Sequence, residues 1–142
     1  SSAASDVYKR QILDKPGKLT DEEFAIMKSH VLYGDALLEH CPGEIMQIAR
    51  TIAKEHHERW DGTGYLGMKG EEIAYISRLM AVCDVFDALT SERYYKRGWS
   101  VEETYNEIVS LSGKHFEAVL PVQFQHILKE EHLEECSYEN LE

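Results

Sequence analysis

No apolar run in this sequence approaches the roughly 18 residues that cross a bilayer, and the chain opens on small polar residues rather than a secretion signal. Cysteines number only three. Cys41, Cys83 and Cys136 are an odd, widely spaced set that gives neither a disulfide framework nor a thiolate zinc site. That usage points to a reducing, cytoplasmic setting. Prolines are as scarce, at three, and no alternating strand pattern of useful length appears. Positive charge is in short supply too. Lys and Arg total 15 against 26 Asp and Glu, a net charge of −11, and such a surface repels duplex DNA and anionic membranes.

What is present is a 142-residue chain, 43% apolar, enough to close one modest core. Six acids against one lysine between Lys129 and Glu142 read as a solvated acidic tail over 131–142. In so acidic a chain, Arg93, Lys96 and Arg97 form a dense basic cluster suited to an anionic ligand. Residues 1–11 (SSAASDVYKRQ) carry no periodicity and read as a disordered or foreign arm.

Helix signals fill the remainder. Thr20-Asp21-Glu22-Glu23 is a capping box, followed by Phe24, Met27, Val31 and Gly34 at helical spacing and stopped by Pro42-Gly43. A second helix runs from about Glu44 to His57 with Ile45, Ile48, Ala49, Ile52 and Ala53 on one face, which His56 extends. The stretch 58–70 (ERWDGTGYLGMKG) reads as an ordered loop. Glu71 to Thr90 reads as a helix whose Ile73, Ile76, Met80, Cys83 and Asp87 line one stripe, with Asp84 and Asp87 side by side. Ser100-Val101-Glu102-Glu103 is a second capping box, its helix stopped by Gly113. A last helix carries Val119, Leu120, Phe124, Ile127 and Leu128, with Pro121 in its first turn. The domain is expected to be all-α.

Four donors on three expected helices stand out: His30, the pair His56-His57, and Asp84. Imidazole and carboxylate together suit iron, manganese, zinc or nickel, and bundle metal sites draw such ligands from facing helices. Singly each signal is weak. A lone histidine such as His30 is more often a core or surface group, and adjacent helical histidines point about 100° apart. Two neighbouring metals would let each ring serve its own ion. Asp84 lies in an apolar helix (LMAVCDVFDAL) and needs a cation or donors if buried. His115 has no such support and reads as structural.

The segments HHERWDGTGY (56–65), KGEEI (69–73) and DVFDALT (84–90), preceded by KPGKLT (15–20) and MKSH (27–30), together resemble the HD-GYP family over residues 12–128. The resemblance implies that 12–130 is the C-terminal part of an HD-superfamily helical bundle. It also implies a bacterial, metal-dependent phosphodiesterase that hydrolyses cyclic di-GMP to pGpG or GMP in signal transduction, with a receiver or sensor domain upstream in the parent protein. His30, His56, His57 and Asp84 would hold divalent transition metals, iron, manganese or similar, in a two- or three-metal centre, which makes His56, His57 and Asp84 catalytic. Tyr65 would contact guanine, Arg93 and Lys96 the phosphates, and Asp87 would be a second carboxylate at the pocket. Glu58, Arg59 and Asp61 would fix the loop and orient ligands. Paired metals about 3.5–4 Å apart can activate a water for in-line attack on a phosphodiester, and Arg93 and Lys96 would add positive charge in the transition state.

This sequence departs from the family pattern in places. The His-Asp pair and an earlier histidine belong upstream of Ile12-Leu13, where Ser1-Ser2-Ala3-Ala4-Ser5 stand, so the chain is expected to carry only the second half of the metal centre. Leu66 replaces the proline of the loop motif, loosening φ there, and Tyr94 stands where a proline is common. Two functions follow: a cyclic di-GMP phosphodiesterase whose activity belongs to the complete gene product, or a catalytically silent module that binds cyclic di-GMP or a partner protein.

Overall fold

The computed structural model describes residue 15 and residues 17–91 and 97–130. The arm at 1–11, the tail at 131–142, and Arg93, Tyr94 and Lys96 lie outside the described residues. Among the described residues are helices α1 (Asp21–Leu38), α2 (Glu44–Glu55), α3 (Tyr75–Thr90), α4 (Val101–Ser110) and α5 (Val119–Glu130), with a short 3-10 turn at Gly70–Glu72. They include no strand beyond one isolated bridge between Ser112 and Phe116, in keeping with an all-α domain. No described helix is long and apolar enough to cross a membrane.

Backbone contacts divide the chain into two compact units, residues 1–54 and 55–142. In the first, the Thr20 hydroxyl accepts the Glu23 N–H while the Glu23 carboxylate accepts the Thr20 N–H at 2.8 Å, the reciprocal cap that its sequence foretells. Gly34 and Ala53 let α1 and α2 approach closely, since a Cβ on Gly34 would stand 3.1 Å from that of Ala53. Arg50 crosses between the helices to Asp35 at 2.6 Å.

The second unit holds the main core. Ala81 and Val82 of α3, Ile108 of α4, Phe116, and Leu120 of α5 pack together, with Phe86 set edge-on to Phe124 at 5.1 Å. This corrects two expectations for α3. The helix begins at Tyr75 rather than Glu71, because the 3-10 turn and Ile73 precede it. Its buried face is Ser77, Ala81, Val82 and Thr90, while Ile76, Met80, Cys83 and Asp87 are exposed. Small side chains let α3 come close to its neighbours, and a reading that follows the largest apolar residues selects the opposite stripe.

The loop after α2 is fastened along its length. Glu58 is 3% exposed, and its carboxylate accepts the Leu66 N–H at 2.6 Å and the Met68 N–H at 2.8 Å. The Trp60 and Asp61 amides donate to the carbonyls of His115 and Lys114 at 3.0 and 2.8 Å, and Gly70 N–H donates to the Trp60 carbonyl. Gly64 lies so close to the segment after the histidines that a Cβ there would meet Glu58 Cα at 2.5 Å and the His57 carbonyl oxygen at 2.8 Å. Those neighbours are backbone atoms and have nowhere to rotate.

Two outcomes follow. Gly64→Ala and Glu58→Gln should each destabilise the chain by about 1–3 kcal/mol, read by chemical denaturation. The first forces the backbone segments apart; the second leaves one buried amide facing an NH₂ group instead of an oxygen. The other concerns His115, whose half-buried ring stacks on Phe116 at 4.4 Å. Burial first, and Arg59 second, push its pKa below the ordinary 6.5. The unfolded chain therefore takes up the proton first, and stability falls as pH drops from 6.5 toward the lower folded value. In His115→Gln, melting temperature against pH should be flatter across that interval.

Candidate metal centre

Helix α2 ends at Glu55, two residues short of the expected His57, and that difference shapes the site. His56 and His57 lie in the turn that follows, so they escape the roughly 100° divergence of neighbours on a helix. Their rings sit 4.1 Å apart at a 40° tilt. Tyr65 comes back from the loop to lie 4.4 Å from the His57 ring, tilted 35°. The structure thus brings together two imidazoles and a phenol that are adjacent in sequence only in part.

Glu58 is the reason this grouping holds. Directly after His57 it turns inward and captures the amides of Leu66 and Met68, which flank Tyr65 on its C-terminal side. Asp61 shapes the near limb of the loop by accepting the Thr63 hydroxyl at 2.6 Å and the Thr63 N–H at 3.0 Å. Those donors hold its carboxyl below the usual range, with a smaller contribution from Arg59, whose Nε lies 3.7 Å away. Glu55, at the end of α2, accepts the Ala74 N–H at 2.8 Å and so ties the start of the turn to the start of α3.

His30 belongs to α1. Its Nδ1 lies 2.7 Å from the Met27 carbonyl oxygen. A carbonyl only accepts, so Nδ1 carries the proton and Nε2 is left as the basic nitrogen, the tautomer a metal-binding imidazole needs. His30, His56 and His57 can each offer a nitrogen to a metal ion, and imidazole donors fit a divalent transition metal by hardness and charge.

Asp84 and Asp87 are exposed on α3. The burial under which Asp84 would need a compensating donor is therefore not its situation; water solvates it. Its charge still reaches His115, where it favours the protonated ring. Asp87 accepts the Ser91 hydroxyl at 3.3 Å, an interaction that closes the C-terminal end of α3. The third member of the basic cluster, Arg97, is exposed ahead of α4.

One supporting group has no motif to announce it. Arg78 pairs with Glu117 at 2.6 Å, and its guanidinium carbon lies over the rings of Trp60 and Tyr75, 5.6 and 5.4 Å from their centroids. It links the loop, α3 and the segment before α5. An arginine inside an otherwise apolar helix start (YISRLMAV) is the only hint of it in the sequence.

The chain is 46% identical over 110 residues to a 3'3'-cGAMP-specific phosphodiesterase of Vibrio cholerae, covering 77% of this chain and 21% of that protein. It is 46% identical over 121 residues to a cyclic di-GMP phosphodiesterase of Thermotoga maritima, covering 84% and 33%. With a cyclic di-GMP phosphodiesterase of Pseudomonas aeruginosa the identity is 43% over 107 residues, covering 75% and 25%. The chain thus spans about a fifth to a third of the length of these curated relatives. Residues 9–120 match the HD domain family, across the same stretch that carries the HD-GYP-like segments. This chain belongs to the HD domain family.

Proposed function

We propose that this domain serves a cytoplasmic, metal-dependent phosphodiesterase of cyclic dinucleotides, with His30, His56, His57 and Asp84 as metal ligands and Tyr65 as a base-contacting ring. The observation that carries the reading is the grouping of His56, His57 and Tyr65, which sets two borderline nitrogen donors beside an aromatic face. The names of the relatives support the substrate class: cyclic di-GMP for two of them, 3'3'-cGAMP for the other.

A divalent transition metal bound there supplies an acidified water and positive charge for the phosphate oxygens. The residues of the chain do the remainder. Glu58 fixes the spacing between the histidine turn and Tyr65. Gly64 lets the loop main chain pass against the backbone of His57 and Glu58, so that Tyr65 reaches the histidine turn. Arg93 and Lys96 meet phosphate charge, and Asp87 adds a hydrogen-bond acceptor at the pocket. Arg59 and Asp61 keep the loop in register. The 142 residues contain no adjacent His-Asp pair, so in this reading they contribute part of the ligand set and the parent protein, with any sensor or receiver domain it has, contributes the remainder.

Metal analysis and incubation with cyclic di-GMP and 3'3'-cGAMP, with products separated by chromatography, test this. The expected result is less than one full metal complement, lost altogether in His56→Ala/His57→Ala, and slow turnover. Full loading with rapid hydrolysis would refute the shared ligand set. Binding of neither nucleotide would refute the substrate class. Tyr65→Ala should weaken nucleotide binding about tenfold, the scale of one lost base stack, while Tyr65→Phe keeps most of it. Titration calorimetry reads both.

A further inference from the structure

Beneath the loop, the second unit contains a cavity of about 10 Å³ with a mixed lining, apolar at Ile73, Ala81 and Phe116 and polar at Glu58, Ser77 and Arg78 among others. That is space for the centre of about one water and for nothing larger. Two of its lining residues have polar atoms that are buried and find no partner in the protein, Ser77 Oγ and Arg78 Nε, and Ser77 is only 1% exposed. The rest of Arg78 is well served: its Nη1 donates to Glu117 and its guanidinium carbon lies over the rings of Trp60 and Tyr75. The orphaned Nε–H is therefore not a sign of a misplaced guanidinium. Leaving both atoms unpaired would cost more than most folded proteins tolerate at one spot.

We infer that this cavity is a binding site for one structural water that accepts a hydrogen bond from Arg78 Nε–H and pairs with the Ser77 hydroxyl. Its position gives it a role. Glu58 comes directly after the proposed metal-binding histidines, and Ser77 and Arg78 open the helix that carries Asp84. It fills a cavity that the loop and the first turn of α3 line together, and its hydrogen bonds serve the two atoms of α3 that the protein leaves unpaired. The carboxylates of Glu58 and Glu117 on the cavity wall leave it no net attraction for an anion, and its size leaves no room for a larger ligand. The site is independent of which cyclic dinucleotide the domain handles, and of whether it hydrolyses one.

A high-resolution crystal structure of the chain, paired with a thermal melt of Ser77→Ala, tests the site. The expected result is a density peak within hydrogen-bond distance of both Ser77 Oγ and Arg78 Nε. In Ser77→Ala the melting temperature should fall by about 3–4 °C, the scale of one lost buried hydrogen bond in a chain of this size, although alanine is the better helix former. An empty cavity, or a Ser77 hydroxyl bonded instead to a main-chain carbonyl, would overturn the inference. So would a melting temperature unchanged or raised in Ser77→Ala, because removing a dry orphan hydroxyl relieves a penalty and removing a water ligand creates one.

Discussion

The site depends on one buried carboxylate. Glu58 spends both of its oxygens on main-chain amides, those of Leu66 and Met68, and it does so from the position directly after the histidine pair. A carboxylate that accepts two amides in a shielded place is held far more firmly than a surface ion pair. The loop bends back because this acceptor requires it, and the tyrosine reaches His57 because the loop bends back. Gly64 completes the constraint from the other side by permitting main chain to pass against main chain. No helix packing is needed to bring those rings together. A local bond pattern does it within a dozen residues.

Charge adds a second constraint. With a net charge of −11, the chain's long-range field repels anions, so any anionic ligand must be held by local, short-ranged contacts. Several of the described carboxylates are already engaged at close range: Glu58 and Glu55 by amides, Asp61 by Thr63, Glu117 by Arg78 and Asp35 by Arg50. Each engaged carboxylate directs its lone pairs at a protein donor instead of at the solvent. The acidity of the sequence thus goes partly into architecture.

Much of the fold was legible in the sequence because its signals are local. Both capping boxes form with the residues their spacing names, and Pro121 falls in the first turn of α5. The ordered loop was legible through its glycines and aromatics, and His56, His57 and Tyr65 through their motif. What failed to show was phase and burial. The stripe assigned to α3 was the outer one, since hydropathy ranks Ile76 and Met80 above Ser77 and Ala81, whereas close helix packing prefers the small residues. The end of α2 was placed two residues late, because nothing in the histidines themselves breaks a helix. The break comes from Glu58, whose inward bonds to amides eight and ten residues away compete with continued helix. Such long-range partners leave no local trace. The Arg78–Glu117 pair, 39 residues apart, was hidden for the same reason.

The two faces of α3 explain how a small domain can hold carboxylates both exposed and fixed. Its inner face, Ser77, Ala81, Val82 and Thr90, is buried, and Ala81 and Val82 pack against α4, α5 and Phe116, so the helix axis and its rotation are set by close packing. The outer face carries Asp84 and Asp87 in water. An ionised carboxylate there avoids the desolvation that would accompany burial, yet its backbone is as rigid as the core behind it. Ligand groups placed on such a helix need little reorganisation to meet a cation, and positional precision comes from the buried side rather than from contacts of their own. On this view the unexpected orientation of α3 favours the proposed chemistry: the apolar stripe that the sequence offered as core would have turned Asp87 inward, at the cost of its solvation.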